Sequence, residues 1–466
     1  MGPDRLSPLD ASFLHVEDDV SHMHIGSVAV FEGPQPPFAA LVDMVESKLD
    51  LVPRYRQRVR FVPLELGRPV WVDDEHFNLE YHLRHTALPK PGGETELRKL
   101  VGRVMSQQLD RARPLWEIWV VEGLEDSRWA MVAKTHHALV DGVSGTDLLA
   151  VIMDQSPDAE RPARPSQWTP QPAPSSLQLM ADSLENVVRS PYEQMRALRA
   201  QTRMVRRVLA YAMEVVVGLV ALGGLVRPTP VSSLNGPLGP HRRYAWASTS
   251  VEDIKRVRKA FGGTFNDVVL ASITNGFREL LLSRDEDVER VVRTLVPVSV
   301  RPRDASGKAI GDGTFENRVS AMFAELPVDI EDPVLRLELI SEQMKDLKES
   351  RQAVAGEALT SMSGFAPPML LALGMRLATR AAQRNVNTVT TNVPGPQFPL
   401  YAAGRRMLRA FPYVPLAGQV RLGVAIFSYD GEVNFGITGD YDTTEDIDVL
   451  AGGIEDGMTQ MLKACG

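Results

Sequence analysis

Cysteine is almost absent from the sequence, since Cys465 is the single thiol among 466 residues. One thiol excludes an internal disulfide framework, and it supplies too few ligands for a cysteine-rich zinc site. This scarcity is typical of a protein in a reducing, cytosolic compartment. A chain of this length buries a core large enough to fold without such cross-links.

An excess of positive charge is also missing. The 51 lysines and arginines are outnumbered by 59 acidic residues, which gives a net charge of −8. We therefore expect no nucleic-acid partner for the protein as a whole. Hydrophobic residues make up 44% and charged residues 24%, as in an ordinary globular protein. The length predicts two or three domains.

Long uninterrupted apolar runs are scarce as well. Residues Met1 to Leu14 carry two aspartates and no apolar core, so we expect no signal peptide. Val208 to Val226 approaches the length of a bilayer span, but Glu214 at its centre is costly in lipid. We predict a buried or interfacial helix there. Neither end of the chain carries a lipidation motif.

Strand and helix patterns divide the chain into three parts. A strand is predicted at His24 to Phe31 and a helix at Phe38 to Leu49. Residues 156–240 begin with a proline-rich linker and continue as a long helical stretch. Beyond them, Tyr429-Asp430-Gly431 between two β-rich runs predicts a hairpin. We predict a mixed α/β fold with an N-terminal domain (1–155), a linker and helical crossover (156–240) and a C-terminal domain (241–466).

The chemically informative segment is KTHHALVDGVSGT, residues 134–146. A β-rich run ends at His136 and His137, and a turn with Asp141 and Gly142 leads into a helix. Side chains in such a connection can face a cleft. A neutral imidazole can accept the proton of an alcohol while its oxygen attacks an acyl carbonyl. Asp141 can brace the turn by pairing with an arginine, and Gly142 allows a close backbone approach.

On the residues alone, three interpretations of the histidine pair stay open: a catalytic base, a structural histidine or a metal ligand. Neighbours on a strand point to opposite faces, so one member of the pair faces a given site. His15, His22 and His24 are too scattered along the chain to complete a metal shell.

HHALVDG resembles the HHxxxDG motif of the acyltransferase superfamily that includes chloramphenicol acetyltransferase, plant alcohol acyltransferases and peptide-synthetase condensation domains. Further segments, in the same order, resemble those of the bacterial wax ester synthase/diacylglycerol acyltransferase family. They are LSPLDASFLHVED (6–18), Pro114-Leu115-Trp116, LNGPLGPHRR (234–243), Asn266-Asp267, VSVRP (298–302) and TNVPGP (391–396). The resemblance covers nearly the whole chain.

This resemblance implies two chloramphenicol-acetyltransferase-like α/β domains with a channel between them and His137 at its middle. Acyl-CoA would enter from one side, and diacylglycerol or a long-chain fatty alcohol from the other. The acceptor hydroxyl would attack the thioester directly, giving triacylglycerol or a wax ester. The resemblance implies neither a cofactor nor a metal, because acyl-CoA is itself a substrate.

The resemblance also implies roles for individual residues. His137 would be the general base, His136 would orient the loop, Asp141 would be structural and Gly142 would form the turn. Arg301 would pair with Asp141, unless it is a plain surface arginine. Pro114, Leu115 and Trp116 would shape the substrate channel.

Asn266, in the same motif as Asp267, would donate a hydrogen bond to the reaction oxyanion, or would instead cap or pack its helix. Asn392 and Gly395 lie in a turn-rich segment that would fix the domain junction or line the acyl tunnel.

Two regions suggest contact with a lipid surface. Five arginines recur at helical spacing from Arg196 to Arg207, directly before the apolar run at 208–226. Phe365 to Leu377 is rich in Phe, Met, Leu and Pro, and Arg376, Arg380 and Arg384 share one helical face. The alternative is that both are solvated faces of core helices. We expect a cytoplasmic protein associated peripherally with the inner membrane face or with lipid inclusions.

Two other functions compete with a lipid acyltransferase. The same histidine chemistry would serve an acceptor that is a polyketide or peptide on a carrier protein. Alternatively, the chain would be a non-catalytic lipid-binding protein, for which the motif from His137 to Gly142 has no use.

Overall fold

The computed structural model describes residues 4–65, 67–140, 151–159, 168–189, 232–289, 291–299, 319–349 and 386–466. Within these ranges the strands form two six-stranded sheets and one two-stranded hairpin. The hairpin joins β2 (Gln57–Arg60) to β3 (Val70–Asp73).

The first sheet carries the histidine motif. Its strands are β1 (His24–Phe31), β4 (Leu83–Ala87), β5 (Trp116–Glu122), β6 (Trp129–His136), β11 (Tyr401–Ala402) and β12 (Arg405–Tyr413). Their order is β11-β12-β1-β6-β5-β4, and only β4 and β5 are parallel neighbours. Every residue of β6 is buried. The strand predicted at His24 to Phe31 is confirmed, and β6 ends at His136, where the β-rich run was predicted to end.

The second sheet has mixed strand directions. Its strands are β7 (Arg242–Ser250), β8 (Val292–Ser299), β9 (Val319–Leu326), β10 (Thr388–Pro394), β13 (Leu422–Tyr429) and β14 (Glu432–Asp440). Their order is β7-β14-β13-β10-β8-β9, and β10 is parallel to both β13 and β8. The predicted hairpin is confirmed, since β13 and β14 pair around Asp430 and Gly431, both at positive φ.

Helices cover the sheets. In the described ranges they are α1 (Pro8–Val16), α2 (Phe38–Lys48), α3 (Leu79–His82), α4 (Glu94–Ser106), α5 (Ser176–Arg189), α6 (Val251–Phe261), α7 (Phe265–Ser283), α8 (Pro333–Glu349) and α9 (Ile447–Ala464). Among the described helices, none combines the length and apolar character that a bilayer crossing requires. The predicted helix at 208–226 and the arginine-bearing segments at 196–207 and 365–384 lie outside the described residues.

The boundary expected at residue 240 does not divide the strands by sheet. β11 and β12 come from the predicted C-terminal domain but belong to the first sheet, where β12 pairs with β1. Local sequence patterns predict strands but not their partners. The sequence therefore gives no sign that β11 and β12 join the first sheet.

The two sheets meet closely where β12 passes β14. Tyr244 on β7 donates a hydrogen bond to the Pro412 carbonyl at 2.7 Å. A Cβ atom at Gly436 would lie 1.6 Å from that same oxygen, so only glycine fits on β14 at this point. Aromatic side chains fill the junction, with Trp246 stacked on Phe411 at 4.5 Å.

Candidate active site

The histidine pair lies at the C-terminal end of β6, a central strand of the first sheet. His136 is its last residue and lies opposite His24 of β1, while His137 begins a short 3₁₀ turn, His137–Leu139. The chain turns here because the backbone N–H of His137 donates to the Met23 carbonyl at 2.8 Å. The His136 side chain is 1% exposed, whereas His137 is only half-buried.

The His136 ring accepts one hydrogen bond that holds the turn, and its other nitrogen faces a carboxylate. Its Nδ1 accepts the backbone N–H of Ala138 at 3.0 Å, so this nitrogen carries no proton when the ring is neutral. The proton therefore lies on Nε2, which faces the Glu17 carboxylate at 3.5 Å. Neither ring nitrogen of His136 is free to accept a proton from a substrate, which supports its predicted orienting role.

His137 has the properties of a base. Burial, reinforced by neighbouring His136, lowers its pKa to about 4, although a hydrogen bond from the ring to its own carbonyl opposes the shift. The imidazole is therefore neutral at pH 7. Covalent geometry allows only Nδ1 to reach that carbonyl, and among the described residues no hydrogen-bond partner occupies the Nε2 lone pair. Phe13 of α1 stacks on the ring with centroids 3.9 Å apart.

A buried carboxylate lies behind the pair. Glu17 follows α1, its side chain is 1% exposed, and Arg111 Nε donates to its Oε2 at 3.1 Å. Burial by itself raises the pKa of Glu17, but hydrogen bonds and charge from His136 and Arg111 outweigh burial and lower it to about 2. Glu17 is therefore ionised at pH 7.

Lys134 lies two residues before His136 on β6, and therefore on the same face of the strand. Its side chain is fully buried, and Nζ donates to the carbonyls of Val104 and Gln107 at the C-terminal end of α4. A cation is favourable there because helix carbonyls are unpaired in the last turn. Burial lowers the pKa of Lys134 to about 8.

The Pro114-Leu115-Trp116 segment lies in the core. Leu115 and Trp116 are fully buried, and Pro114 is buried too. The Leu115 carbonyl accepts the backbone N–H of His136 at 2.9 Å, and Trp116 stacks on His82 at 4.6 Å. These residues therefore fix the end of β6 by packing and backbone bonds.

The Asn266-Asp267 motif lies at the start of α7, and its two residues make different contacts. Asp267 is 2% exposed and forms a capping box with Thr264, and it also accepts a bond from Ser341 at 3.1 Å. Its carboxylate is thus engaged in holding the helix end. Asn266 is only half-buried, and its Oδ1 accepts Nδ2 of Asn392 at 3.1 Å. Its own amide hydrogens remain as donors.

The predicted turn-rich segment around Asn392 is a strand over most of its length. Asn392 lies within β10, paired with Ile426 of β13, and Gly395 follows the end of that strand. A Cβ atom at Gly395 would lie 2.3 Å from the Ser428 carbonyl, so glycine is required by close packing. The structure therefore brings Asn266 and Asn392 together, although 126 residues separate them.

Other predicted site residues cannot be placed. Asp141, Gly142 and Arg301 lie outside the described residues, so their proposed pairing and turn stay predictions, as does the channel. Within the described ranges, no group of three histidine, cysteine or acidic side chains has a geometry that holds a metal.

Comparison with known proteins identifies the family. A sequence model of the wax ester synthase/diacylglycerol acyltransferase catalytic domain matches residues 6–269, and a model of the WS/DGAT C-terminal domain matches residues 315–462. The chain belongs to the wax ester synthase/diacylglycerol acyltransferase family. It is therefore an acyltransferase by descent, as the ordered motifs predicted.

Individual relatives support the assignment to the WS/DGAT family. A Mycobacterium tuberculosis (strain H37Rv) protein with the curated name of a diacylglycerol O-acyltransferase is 39% identical over 461 residues, covering 98% of this chain and 96% of its own. The solved wax ester synthase/diacylglycerol acyltransferase from Marinobacter aquaeolei VT8 has a TM-score of 0.70 at 27% identity and covers 99% of this chain and 100% of its own.

A more distant solved structure supports the predicted fold class. The first condensation domain of the calcium-dependent antibiotic synthetase has a TM-score of 0.57 at 18% identity, and covers 100% of this chain and 96% of its own. At this identity the likeness shows the fold alone. The mixed α/β, chloramphenicol-acetyltransferase-like fold is thereby confirmed.

Sequence reasoning missed the residues that hold the histidine pair. Phe13, Glu17 and Arg111 are distant from it along the chain, and no local pattern links them to it. The one available signal was the position of Phe13 and Glu17 inside LSPLDASFLHVED, a segment noted as a family motif without a role.

Proposed function

We propose that this acyltransferase moves a long-chain acyl group from acyl-CoA to the hydroxyl of diacylglycerol, of a fatty alcohol, or of both, with His137 as general base. One observation carries the proposal: His137 is a neutral, partly accessible imidazole held by a turn in which its neighbour His136 has no free nitrogen. The curated names of the relatives support diacylglycerol as an acceptor.

The reaction needs one proton to move twice. His137 Nε2 takes the proton of the acceptor hydroxyl as that oxygen attacks the thioester carbon. The tetrahedral intermediate collapses, the carbon–sulfur bond breaks, and the imidazolium returns the proton to the CoA thiolate. General-base assistance of this kind is worth about 10²- to 10⁴-fold.

The oxyanion of the intermediate needs a hydrogen-bond donor. We assign this role to Asn266, because its Oδ1 is occupied by Asn392 and its Nδ2 hydrogens are left to donate. Its place at the start of α7 adds the favourable end of the helix dipole. We retain Asp141 and Arg301 as a brace of the histidine turn and Gly142 as its turn residue.

The test uses purified protein with palmitoyl-CoA and either dipalmitoylglycerol or 1-hexadecanol, scored for released CoA thiol and for ester. His137→Ala should lose at least about 10²-fold in kcat while retaining its fold. His76→Ala, an exposed histidine of the same half, is the matched control. Full activity of His137→Ala would remove the base from the proposal. Acylation of a holo-carrier protein in place of both lipids would favour the alternative acceptor.

We also propose that the protein meets an anionic lipid surface peripherally, at the inner membrane face or at lipid inclusions. The Leu64 side chain is 80% exposed, and its backbone has φ of 57°, an unusual conformation for leucine. Leu177 on neighbouring α5 is 78% exposed. Two guanidinium groups flank them, since Arg60 bonds to Ser176 and Arg5 to Ser183, both on α5.

Flotation with vesicles tests this surface. The wild type should float with phosphatidylglycerol-containing vesicles and less with pure phosphatidylcholine, because the arginines favour anionic headgroups. The double variant Leu64→Glu/Leu177→Glu should lose most of its bound fraction, whereas Leu282→Glu, at an exposed leucine of α7, should not. Equal flotation of the double variant and the wild type would place the contact elsewhere.

A further inference from the structure

The proposed chemistry makes no use of the most deeply buried carboxylate near the histidine pair. The Glu17 side chain is 1% exposed, and its two oxygens face two imidazoles, His136 at 3.5 Å and His24 at 3.5 Å. Taking an ionised carboxylate out of water is costly unless partners compensate. A carboxylate kept there for packing alone is replaceable by an apolar side chain at no loss, so its location invites a functional explanation.

We propose that Glu17 is a positioning residue for His137: its carboxylate holds His136 in the tautomer with the proton on Nε2, and His136 in turn fixes the backbone that carries His137. The inference rests on the proposed role of His137 as the base. Glu17 touches neither substrate nor the reacting atoms and acts through its neighbour.

Two contacts and one peptide bond connect the carboxylate to the base. Glu17 Oε2 lies 3.5 Å from His136 Nε2, and His136 Nδ1 accepts the N–H of Ala138 at 3.0 Å. Ala138 directly follows His137, so the bond sets the path of the main chain through the turn. If the proton of His136 moved to Nδ1, the Ala138 N–H would meet a donor and the turn would lose this bond.

Helix α1 and the residue that follows it contact both histidines. Phe13 of α1 stacks on the His137 ring, and Glu17, one turn further, reaches His136. Arg111 donates to the same carboxylate oxygen and also to the Leu14 carbonyl at 3.1 Å. The plane of the base and the orientation of its neighbour are thus set by α1 together with the residue that caps its C-terminus.

Several charged or titratable groups surround Glu17, so its effect must be separated from theirs. His22 and His24 approach from the β1 side, His136 and Lys134 from β6, and Arg111 from the segment after α4. Arg242 of β7 also acts on His22. Because the pKa of Glu17 is about 2, its charge is constant over any practical assay range.

The test compares Glu17→Leu, which removes charge and acceptor, with Glu17→Gln, which keeps an oxygen that can accept from His136. We expect kcat to fall about 10- to 100-fold in Glu17→Leu, as for other small misplacements of reacting groups. The KM for palmitoyl-CoA should stay within about twofold, and Glu17→Gln should recover part of the loss. Glu75→Gln, at an exposed glutamate of the same half, is the control.

A double-mutant cycle isolates the path of the effect. If Glu17 acts through His136, then Glu17→Leu should cost nothing further in a His136→Ala background. Additive losses, or a kcat within twofold of wild type in the folded single variants, would overturn the proposal. If Glu17→Leu fails to fold, the same cycle with Glu17→Gln decides.

Nitrogen-15 NMR of histidine-labelled protein gives a readout independent of turnover. The His136 ring should show the proton on Nε2 in the wild type and a mixture of tautomers in Glu17→Leu. An unchanged tautomer in that variant would overturn the positioning role. Full activity of His137→Ala would refute the proposed base instead, and would leave this measurement valid.

Discussion

The two sheets hold their motif residues by different means. At the end of β6, an ionised carboxylate, an arginine and a stacked phenyl ring surround the histidine pair. At the start of α7, one bond between neutral amides orients Asn266, and a capping box secures the helix. A group that must take up a proton needs a controlled charge environment, whereas a group that only donates a hydrogen bond needs direction alone.

The largest effect should come from a change at the neutral amide pair, Asn266 and Asn392. Asn266→Asp keeps the shape and the bond from Asn392 but replaces the amide hydrogens with an oxygen. If Asn266 donates to the oxyanion, kcat should fall about 10²- to 10³-fold. Single-turnover kinetics with palmitoyl-CoA measure it, and a loss below threefold would assign the donor to another group.

At the histidine pair, Phe13→Ala should reduce kcat about 10-fold or more, because the His137 ring gains freedom when its stacking partner is removed. Water would also reach the imidazole, and its pKa should rise from about 4 toward 6.5. The acid limb of kcat/KM would then move to higher pH. Phe13→Leu retains apolar cover and should shift that limb less. Identical limbs in all three proteins would contradict the desolvation argument.

The first sheet should also be the acid-sensitive one. Burial lowers the pKa of His82 and His137 to about 4, from an unfolded value near 6.5, and that of His24 well below it. Between pH 6.5 and 4 the unfolded chain binds more protons, so stability should fall as pH drops through this window. Glu17 adds stability that is complete above pH 4.5 and lost toward pH 2.

Hydrogen exchange at pH 7.5 and pH 5 checks the location of this effect. Amides of β1 and β6 should lose more protection than amides of β13 and β14. An equal loss of amide protection in both sheets would mean that the two unfold as one unit. The sheets would then differ in the chemistry of their sites but not in their stability to acid.

The smallest effect concerns the helix cap. Asp267→Ala should lower the free energy of unfolding by about 1 kcal/mol, since the Thr264 N–H loses its partner and the capping box is broken. Urea denaturation measures the change. A loss several times larger would show that the bond from Ser341 of α8 matters more than the cap.

Much of the fold could be predicted from sequence because its signals are local. The β-rich run from His24 to Phe31 and the Asp-Gly turn each specify nearby backbone, and each is found in the structure. The histidine pair at a strand end followed from the same local reasoning. The segment around Asn392 was misjudged because proline and glycine at its end masked a parallel strand.

What the sequence could not predict depends on contacts between distant segments. Glu17 and His136 are brought together by α1 and β6, and Asn266 and Asn392 by α7 and β10. Neither pair leaves a periodic or compositional trace. The burial of Trp116 is similar, because an aromatic residue after a proline fits a channel wall and a core equally well until its neighbours are known.

The position of β12 has a consequence for biosynthesis. During translation, β1 is made some 380 residues before the strand that covers its free edge, so the growing N-terminal half carries an open, apolar β-edge until the ribosome has nearly finished. A fragment ending near residue 269 would keep that edge permanently, and we expect it to aggregate. Chaperone demand during synthesis should therefore depend on how quickly the last quarter of the chain emerges.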